Sequence, residues 1–285
     1  MPELHEVQTI VRDLKRKIIG RRIAAFWSDT PRIFRHTTIA KIKKEIPGLK
    51  IKEISRLGKN ILIYLSHKPY ATGNKLLVIH PKLTGRLLVL KSEKLNVKKD
   101  FIRAIFYLDK NLALAFSDVR KFGKIMFGDQ EKIENLPDLK NLGPDALNSL
   151  TVDEFKSLIS SEKRKVKQVL LDQEIISGLG NIYSDEALWQ AKIHPFTPSN
   201  QLTNRQLTNL YSSIKKVLQK SLALRGSSMR DYRDTVGKEG GYFKTRLVYG
   251  RENLPCFRCK TKIQRTKIGV RSAHFCPKCQ KSNKS

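Results

Sequence analysis

Apolar residues near the start of the chain recur at helical spacing. Val7, Ile10, Val11, Leu14 and Ile18 line one face, and Gly20 follows as a stop. From about residue 21 to 128 the pattern changes to short apolar runs at 61–65, 76–80, 87–90, 102–108 and 113–116. Turn residues divide them, such as Thr72-Gly73-Asn74 and Asp109-Lys110-Asn111. This half is expected to be a β-sandwich with the first helix packed against it. Residues 129–142 are polar, contain Pro137 and read as a linker. Beyond them the helical period returns at 152–160, 165–171 and 185–191. The longest run is 204–224, where Leu207, Leu210, Ile214, Val217 and Leu218 mark one face. Residues 226–241 are rich in Gly, Ser and charge and read as a long loop. The fold class is α+β: an N-terminal β-sandwich with a flanking helix, then a helical region and a cysteine-bearing module.

At 285 residues the chain has room for two domains, and its 40% hydrophobic content makes it globular rather than a disordered polycation. Charge sharpens the picture. Lys and Arg number 56 against 26 Asp and Glu, a formal +30. Solubility needs a net charge of only about 2–8 in a small domain. The excess favours a polyanion bound through phosphate neutralisation and counterion release. Anionic membrane is the rival partner, but no basic amphipathic helix with an exposed aromatic face stands out. No run approaches the ~18 consecutive apolar residues of a membrane span. The start lacks a basic segment leading into an apolar run, so the protein is expected to be soluble and intracellular. Charge alone does not distinguish an enzyme from a binding protein.

All four cysteines lie near the C-terminus, at Cys256, Cys259, Cys276 and Cys279. The spacing is C-x2-C, sixteen residues, then C-x2-C. Two such knuckles can present four thiolates tetrahedrally to one zinc ion. Two disulfides are the alternative, disfavoured in a basic intracellular chain. Four thiolates would close the coordination shell, so the zinc is expected to be structural. Arg265, Lys267 and Arg271 fall on the hairpin between the knuckles, suited to phosphate contact.

The chain opens Met1-Pro2-Glu3-Leu4-His5-Glu6-Val7. Taken locally, proline and acidic residues suit a helix start without any further role. Further along stand Gly58-Lys59, His80 with Thr84-Gly85-Arg86, and Asp118-Val119-Arg120-Lys121-Phe122-Gly123. Leu142-Gly143-Pro144, Gly178-Leu179-Gly180-Asn181-Ile182-Tyr183 and Val248-Tyr249-Gly250-Arg251 follow, before the cysteine module. In order and spacing these resemble the formamidopyrimidine-DNA glycosylase family across nearly the whole chain.

The resemblance implies a bifunctional DNA glycosylase and apurinic/apyrimidinic lyase that removes oxidised purines such as 8-oxoguanine and formamidopyrimidines. It implies removal of the initiator methionine and attack by the Pro2 amine on the sugar carbon bearing the damaged base. An α-amino group has a pKa of roughly 7.7–8.0, so a useful fraction is unprotonated near neutrality. β,δ-Elimination would follow from the resulting iminium. Glu3 would be the general acid/base, Glu6 would sit in the base pocket, and Lys59 would contact phosphate and assist catalysis. Leu83, Arg120 and Phe122 would fill the space left by the flipped base. His80, Lys167 and Asn181 would contact DNA, and Arg271 would clamp the phosphate beside the flipped nucleotide.

The implied layout is a catalytic domain at 2–128, a linker at 129–142, and a helix-two-turns-helix domain at 143–240 with a lesion-capping loop at 226–241. A zinc finger at 241–280 and a polar tail at 281–285 complete it. The partner would be double-stranded DNA with a damaged base, met by a monomer in the bacterial cytoplasm at the nucleoid, with no membrane involved. The sequence departs from the family pattern at His5 (usually proline), Gln8 (usually glutamate), Pro81-Lys82, Leu83 (usually methionine), Val119 and Lys121. These bear on kinetics or lesion choice rather than reaction type. The endonuclease VIII branch, which prefers oxidised pyrimidines, is the near rival; Leu4 and the long 226–241 loop favour the purine enzymes. A non-catalytic zinc-finger DNA-binding protein is the rival of another class, opposed by the joint presence of Pro2, Glu3, Lys59 and Asn181.

Overall fold

A computed structural model describes residues 2–66, 74–98, 101–227, 235 and 239–281. The chain divides into two compact units, residues 1–141 with 224–241, and residues 142–223 with 242–285.

In the first unit, helix α1 (Leu4–Ile18) buries the expected stripe of Val7, Ile10, Val11, Leu14 and Ile18. It ends before Gly20, whose φ of +82° suits glycine best. Two four-stranded antiparallel sheets follow. One has the order β1-β6-β7-β5, from β1 (Ile23–Ser28), β5 (Arg86–Lys91), β6 (Ile102–Leu108) and β7 (Leu112–Ser117). The other has the order β2-β3-β4-β8, from β2 (Lys50–Leu57), β3 (Asn60–Ser66), β4 (Lys75–His80) and β8 (Lys124–Asp129). One core joins α1 to both sheets, including Leu14, Ile18, Ile54, Ile63, Ile79, Phe106, Phe116 and Phe127.

The five apolar runs read from the sequence are β3 to β7. Lys110 and Asn111 both take left-handed backbone in the tight β6–β7 turn, the conformation a two-residue hairpin needs. Thr72 and Gly73 of the other expected turn lie outside the described residues. Helix α2 (Ile39–Glu45), opened by the Thr38 hydroxyl accepting from the Lys41 N–H, was not expected.

Two boundaries differ from expectation. Residues 129–142 are not a bare linker: they form α3 (Gln130–Glu134) and α4 (Pro137–Lys140). Ile133 and Leu139 pack with Leu62, Leu76, Val78 and Met126 on the outer face of the second sheet. Residues 224–241 group with the first unit rather than with the helical region, because their described contacts run to α1. Residues 282–285 of the expected tail, and 228–234 and 236–238 of the expected loop, lie outside the described residues.

The second unit contains α5 (Val152–Ser160), α6 (Val166–Leu171), α7 (Asn181–Ala191) and α8 (Asn204–Ala223), then a hairpin of β9 (Gln264–Ile268) and β10 (Arg271–Phe275). Thr151 and Glu154 cap α5 reciprocally, which places its start at the expected residue. Helix α7 begins four residues earlier than its apolar pattern suggested, since Gly180 supplies the extended N-cap. Trp189 of α7 packs with Val248, Ile263 and two of the cysteines. Among the described residues, no helix is long and apolar enough to cross a membrane.

Candidate active site

The head of α1 is folded around two carboxylates. Pro2 is buried immediately before the helix and Glu3 is its N-cap, 2% exposed. The Glu3 N–H donates to Glu6 Oε2 at 2.8 Å, and the Glu3 side chain accepts from the Glu6 N–H. Glu3 thus stands at the helix terminus, three residues before Glu6. Glu6, 1% exposed, also accepts the Ser227 N–H through Oε1 at 2.6 Å. Gly226 passes so close that a Cβ there would lie 2.9 Å from the Glu6 carboxylate.

A second element is tied to this helix. The Arg56 guanidinium donates to Gln8 Oε1 at 2.8 Å and to the Gly58 carbonyl at 2.9 Å. It therefore holds the β2–β3 turn, with Gly58 at φ +57°, on α1. Lys59 follows in that turn and is 7% exposed. His5, fully buried, is pushed down to about 3 by burial and then by Arg56. His80 is likewise lowered to about 3, by burial and then by Lys82, Lys59 and Lys124, so it is neutral. Its Nδ1 accepts the Lys82 N–H at 3.0 Å.

Leu83, Arg120 and Phe122 occupy two loops, and Asp118 joins them. Asp118 is fully buried; its carboxylate accepts from the Thr84 hydroxyl, from the Arg120 N–H at 3.2 Å and from the Gly123 N–H at 2.8 Å. Leu83 is half-buried, whereas Arg120 is exposed and Phe122 is 53% exposed. Leu83 and Phe122 each follow a lysine in left-handed backbone, Lys82 at φ +54° and Lys121 at φ +55°. Asp118 stood in the sequence motif, but only the fold reveals it as the tie between the loops.

In the second unit the expected phosphate ligands separate. Asn181 starts α7, with its N–H at the positive end of the helix dipole. Its Oδ1 has no hydrogen-bond partner among the described residues. Arg271 begins β10, exposed beside the hairpin tip, where Val270 is 98% exposed. Lys167 is different and corrects the expectation. It is fully buried, its ammonium 2.5 Å from Asp185 Oδ1 and 2.5 Å from the Ser272 carbonyl. Asp185 also accepts the His274 N–H at 2.9 Å. A lysine so enclosed is not placed to meet a phosphate; it mounts β10 on α7. Arg265 is similarly engaged, with Glu252 at 3.1 Å.

Glu186 is a structural residue that sequence reading missed. It is fully buried and accepts the N–H groups of Leu247, Val248 and Tyr249 at 2.8–2.9 Å. Burial pushes its carboxyl above the usual range, a shift those three bonds oppose.

The four cysteine Sγ atoms lie within 4.8 Å of one another, with Cys259 to Cys276 at 3.4 Å and Cys256 to Cys279 at 4.0 Å. A tetrahedral zinc with Zn–S of about 2.3 Å has sulfur–sulfur edges of roughly 3.8 Å. The Thr261 hydroxyl and N–H pull the Cys259 thiol down to about 6, while burial pushes Cys276 and Cys279 up, Cys279 to about 12. Donor number, type and spacing therefore fit one structural zinc. Arg258 lies 3.7 Å over the Trp189 ring and donates to the Trp189 carbonyl at 2.6 Å, fastening the knuckle to the end of α7.

Comparison with known proteins agrees with this arrangement. Residues 1–125 match the formamidopyrimidine-DNA glycosylase N-terminal domain, 142–233 its H2TH domain, and 253–281 the zinc finger found in FPG and IleRS. The formamidopyrimidine-DNA glycosylase of Desulforamulus reducens is 37% identical over 284 residues, covering 99% of this chain and all of that protein. That of Pelotomaculum thermopropionicum is 37% identical over 282 residues, covering 99% of each. Among solved structures, a mutant Lactococcus lactis FPG bound to Fapy-dG DNA aligns with a TM-score of 0.89 at 32% identity, covering 99% of this chain and 100% of that one. MutM bound to DNA containing carbocyclic 8-oxo-G aligns at 0.88, with the same identity and coverage.

Proposed function

The chain belongs to the formamidopyrimidine-DNA glycosylase family, and on that premise we propose that Pro2, freed by loss of Met1, excises oxidised purines from double-stranded DNA. The observation that carries the proposal is the Glu3–Glu6 pair at the head of α1, directly behind the proline. The positive end of the helix dipole favours a neutral amine there, and a neutral amine is the nucleophile.

The secondary amine attacks the sugar C1′ of the flipped nucleotide as the bond to the base breaks, and Glu3 moves protons between sugar, amine and leaving base. The amine then gives up its proton and the C1′–O4′ bond breaks, O4′ taking a proton as the sugar ring opens, which leaves an iminium at C1′. This draws electrons from the sugar, a C2′ proton is lost, and the 3′ phosphate departs by β-elimination. A second elimination releases the 5′ phosphate. Glu6, already accepting two N–H groups, is a fixed acceptor that shapes the base pocket. Lys59 and His80 contact the backbone, with His80 acting as a neutral hydrogen-bonding group.

Phe122 enters the stack, Arg120 meets the orphaned partner base, and Leu83 fills the vacated space. The exposure of Phe122 and the rigid Asp118 tie support this role. Asn181, through the α7 terminus, and Arg271 bind phosphate. One structural zinc shapes the hairpin that presents Arg271 and takes no part in the chemistry. The protein works as a monomer on chromosomal DNA, associated with the nucleoid.

The test is strand scission of a duplex with one 8-oxoguanine opposite cytosine, beside an undamaged duplex. Fragments ending in phosphate on both sides of the gap, from the damaged duplex alone, are expected; an intact damaged strand would overturn the reading. A second reading, oxidised pyrimidines as additional substrates, is favoured by the wild-type Lactococcus lactis FPG solved with oxidised-pyrimidine DNA, at a TM-score of 0.87. A matching duplex with an oxidised pyrimidine tests it.

A further inference from the structure

Helix α1 carries more polar side chains inward than its place beside a sandwich core requires. Glu6, Asp13 and Lys17 are seven and eleven residues apart, close to two and three turns at about 3.6 residues per turn, so they share one face. Asp13 is 7% exposed. Its Oδ2 accepts from the Arg225 guanidinium at 2.7 Å and from the Thr235 hydroxyl at 3.3 Å. Thr235 is fully buried and in turn accepts from the Lys17 ammonium at 2.9 Å.

The other end of the same face holds the same segment. Glu6 accepts the Ser227 N–H, and Gly226 has no room for a side chain against it. The base of the segment is closed on itself: Ser227 pairs with Gly241, and the Gly241 N–H donates to the Leu224 carbonyl at 2.8 Å. Arg225, Ser227 and Thr235 are thus held by α1 residues spread over roughly 16 Å, the helical rise from residue 6 to residue 17. The pins are Glu6 at the head of the helix, Asp13 about two turns further along, and Lys17 about one turn beyond it. Nothing in the chemistry assigned to Pro2, Glu3 or Lys59 uses Asp13. A buried carboxylate is costly without partners, and its partners here come from sequence 212 and 222 residues away.

We propose that Asp13 is a positioning residue for the damaged base: it holds Arg225 and Thr235 on α1, so that the neighbouring Gly226 and Ser227 stay in register with Glu6. The proposal rests on the glycosylase reading above. It separates two activities that share one nucleophile. Excision of a damaged base needs the base to be held, whereas cleavage at a pre-formed abasic site does not.

Asp13→Asn keeps the shape and removes the charge; Thr235→Val removes the second contact. Single-turnover rates on an 8-oxoguanine duplex and on an abasic-site duplex are compared for wild type and both variants. The expected result is a loss of about tenfold or more in base excision, with abasic cleavage within about twofold of wild type. Hydrogen exchange at the backbone amides of 225–227 and 239–241 should quicken in both variants. Equal loss of both activities, or no loss in either, would overturn the positioning role, and unchanged exchange would overturn the anchor. A wild-type protein that cleaves abasic sites but leaves 8-oxoguanine in place refutes the substrate reading and the recognition role together, while the exchange measurement still decides the anchor.

Discussion

The Asp118 carboxylate accepts a hydrogen bond from the Thr84 hydroxyl, joining the loop that carries Leu83 to the loop that carries Arg120 and Phe122. Neither loop belongs to a strand at these positions, so the tie supplies the order that a ladder would otherwise give. Gly123 completes it: a Cβ there would meet the Phe116 ring, and its N–H donates to the same carboxylate.

Asp118→Asn turns one acceptor oxygen into a donor facing other donors. A loss of about 2–3 kcal/mol in stability is expected for a buried charge-assisted network. Lesion excision should fall further than stability alone explains, because Phe122 loses its fixed base. Thr84→Val, which leaves the carboxylate its backbone donors, should cost about 1 kcal/mol. Thermal unfolding and single-turnover excision measured together check both; a fully active Asp118→Asn protein would contradict the tie.

Acid should weaken the first unit through His5 and His80. Both stay neutral when folded, lowered to about 3, while the unfolded chain takes up protons near 6.5. Between those values the unfolded state binds more protons, so stability falls as pH drops through that window. His5→Pro is compatible with the first turn of a helix and removes His5's share. Urea unfolding at pH 7 and pH 4.5 should show a difference about 2 kcal/mol smaller in the variant. Equal differences would mean that His5 is not held neutral.

Lys167 and Arg271 make opposite predictions. Lys167→Ala leaves the buried Asp185 carboxylate with only its His274 contacts and no lysine to balance it, so a loss of about 3–5 kcal/mol is expected. Arg271→Ala should leave the melting temperature unchanged and lower the salt-dependence slope of DNA binding by about 1. A Lys167 variant with normal stability and a reduced slope would restore it as a phosphate ligand.

Zinc removal should release the hairpin from its knuckles. Chelation is expected to unfold residues 253–281, weaken DNA binding and leave the fold of the first unit intact. Undiminished binding after complete removal, followed by anisotropy, would exclude the finger from the interface.

Much of this was legible in the chain because the decisive signals are local. Helix α5 begins where Thr151 and Glu154 can cap each other, and β3 to β7 announce themselves as apolar runs. The cysteine spacing specifies its own geometry. Strand β2 escaped notice because Lys50, Lys52, Glu53 and Arg56 interrupt its apolar residues, though Ile51 and Ile54 reach the core across a bulge. The short helices of 129–142 hid behind Pro137, which here opens a helix. Lys167 was misread because a lysine's burial is written in its partners, Asp185 and Ser272, not in its neighbours. The grouping of 224–241 with the first unit likewise depends on Asp13 and Glu6, more than two hundred residues earlier.

The central claim is that the Pro2 amine is the nucleophile. Borohydride trapping on an 8-oxoguanine·cytosine duplex, with Met1 removal verified by mass spectrometry, tests it directly. The account predicts a covalent protein–DNA adduct that requires the lesion and disappears in Pro2→Gly. An adduct of undiminished yield in Pro2→Gly, mapped to a lysine, would contradict it, as would no adduct from a processed protein that still excises the base.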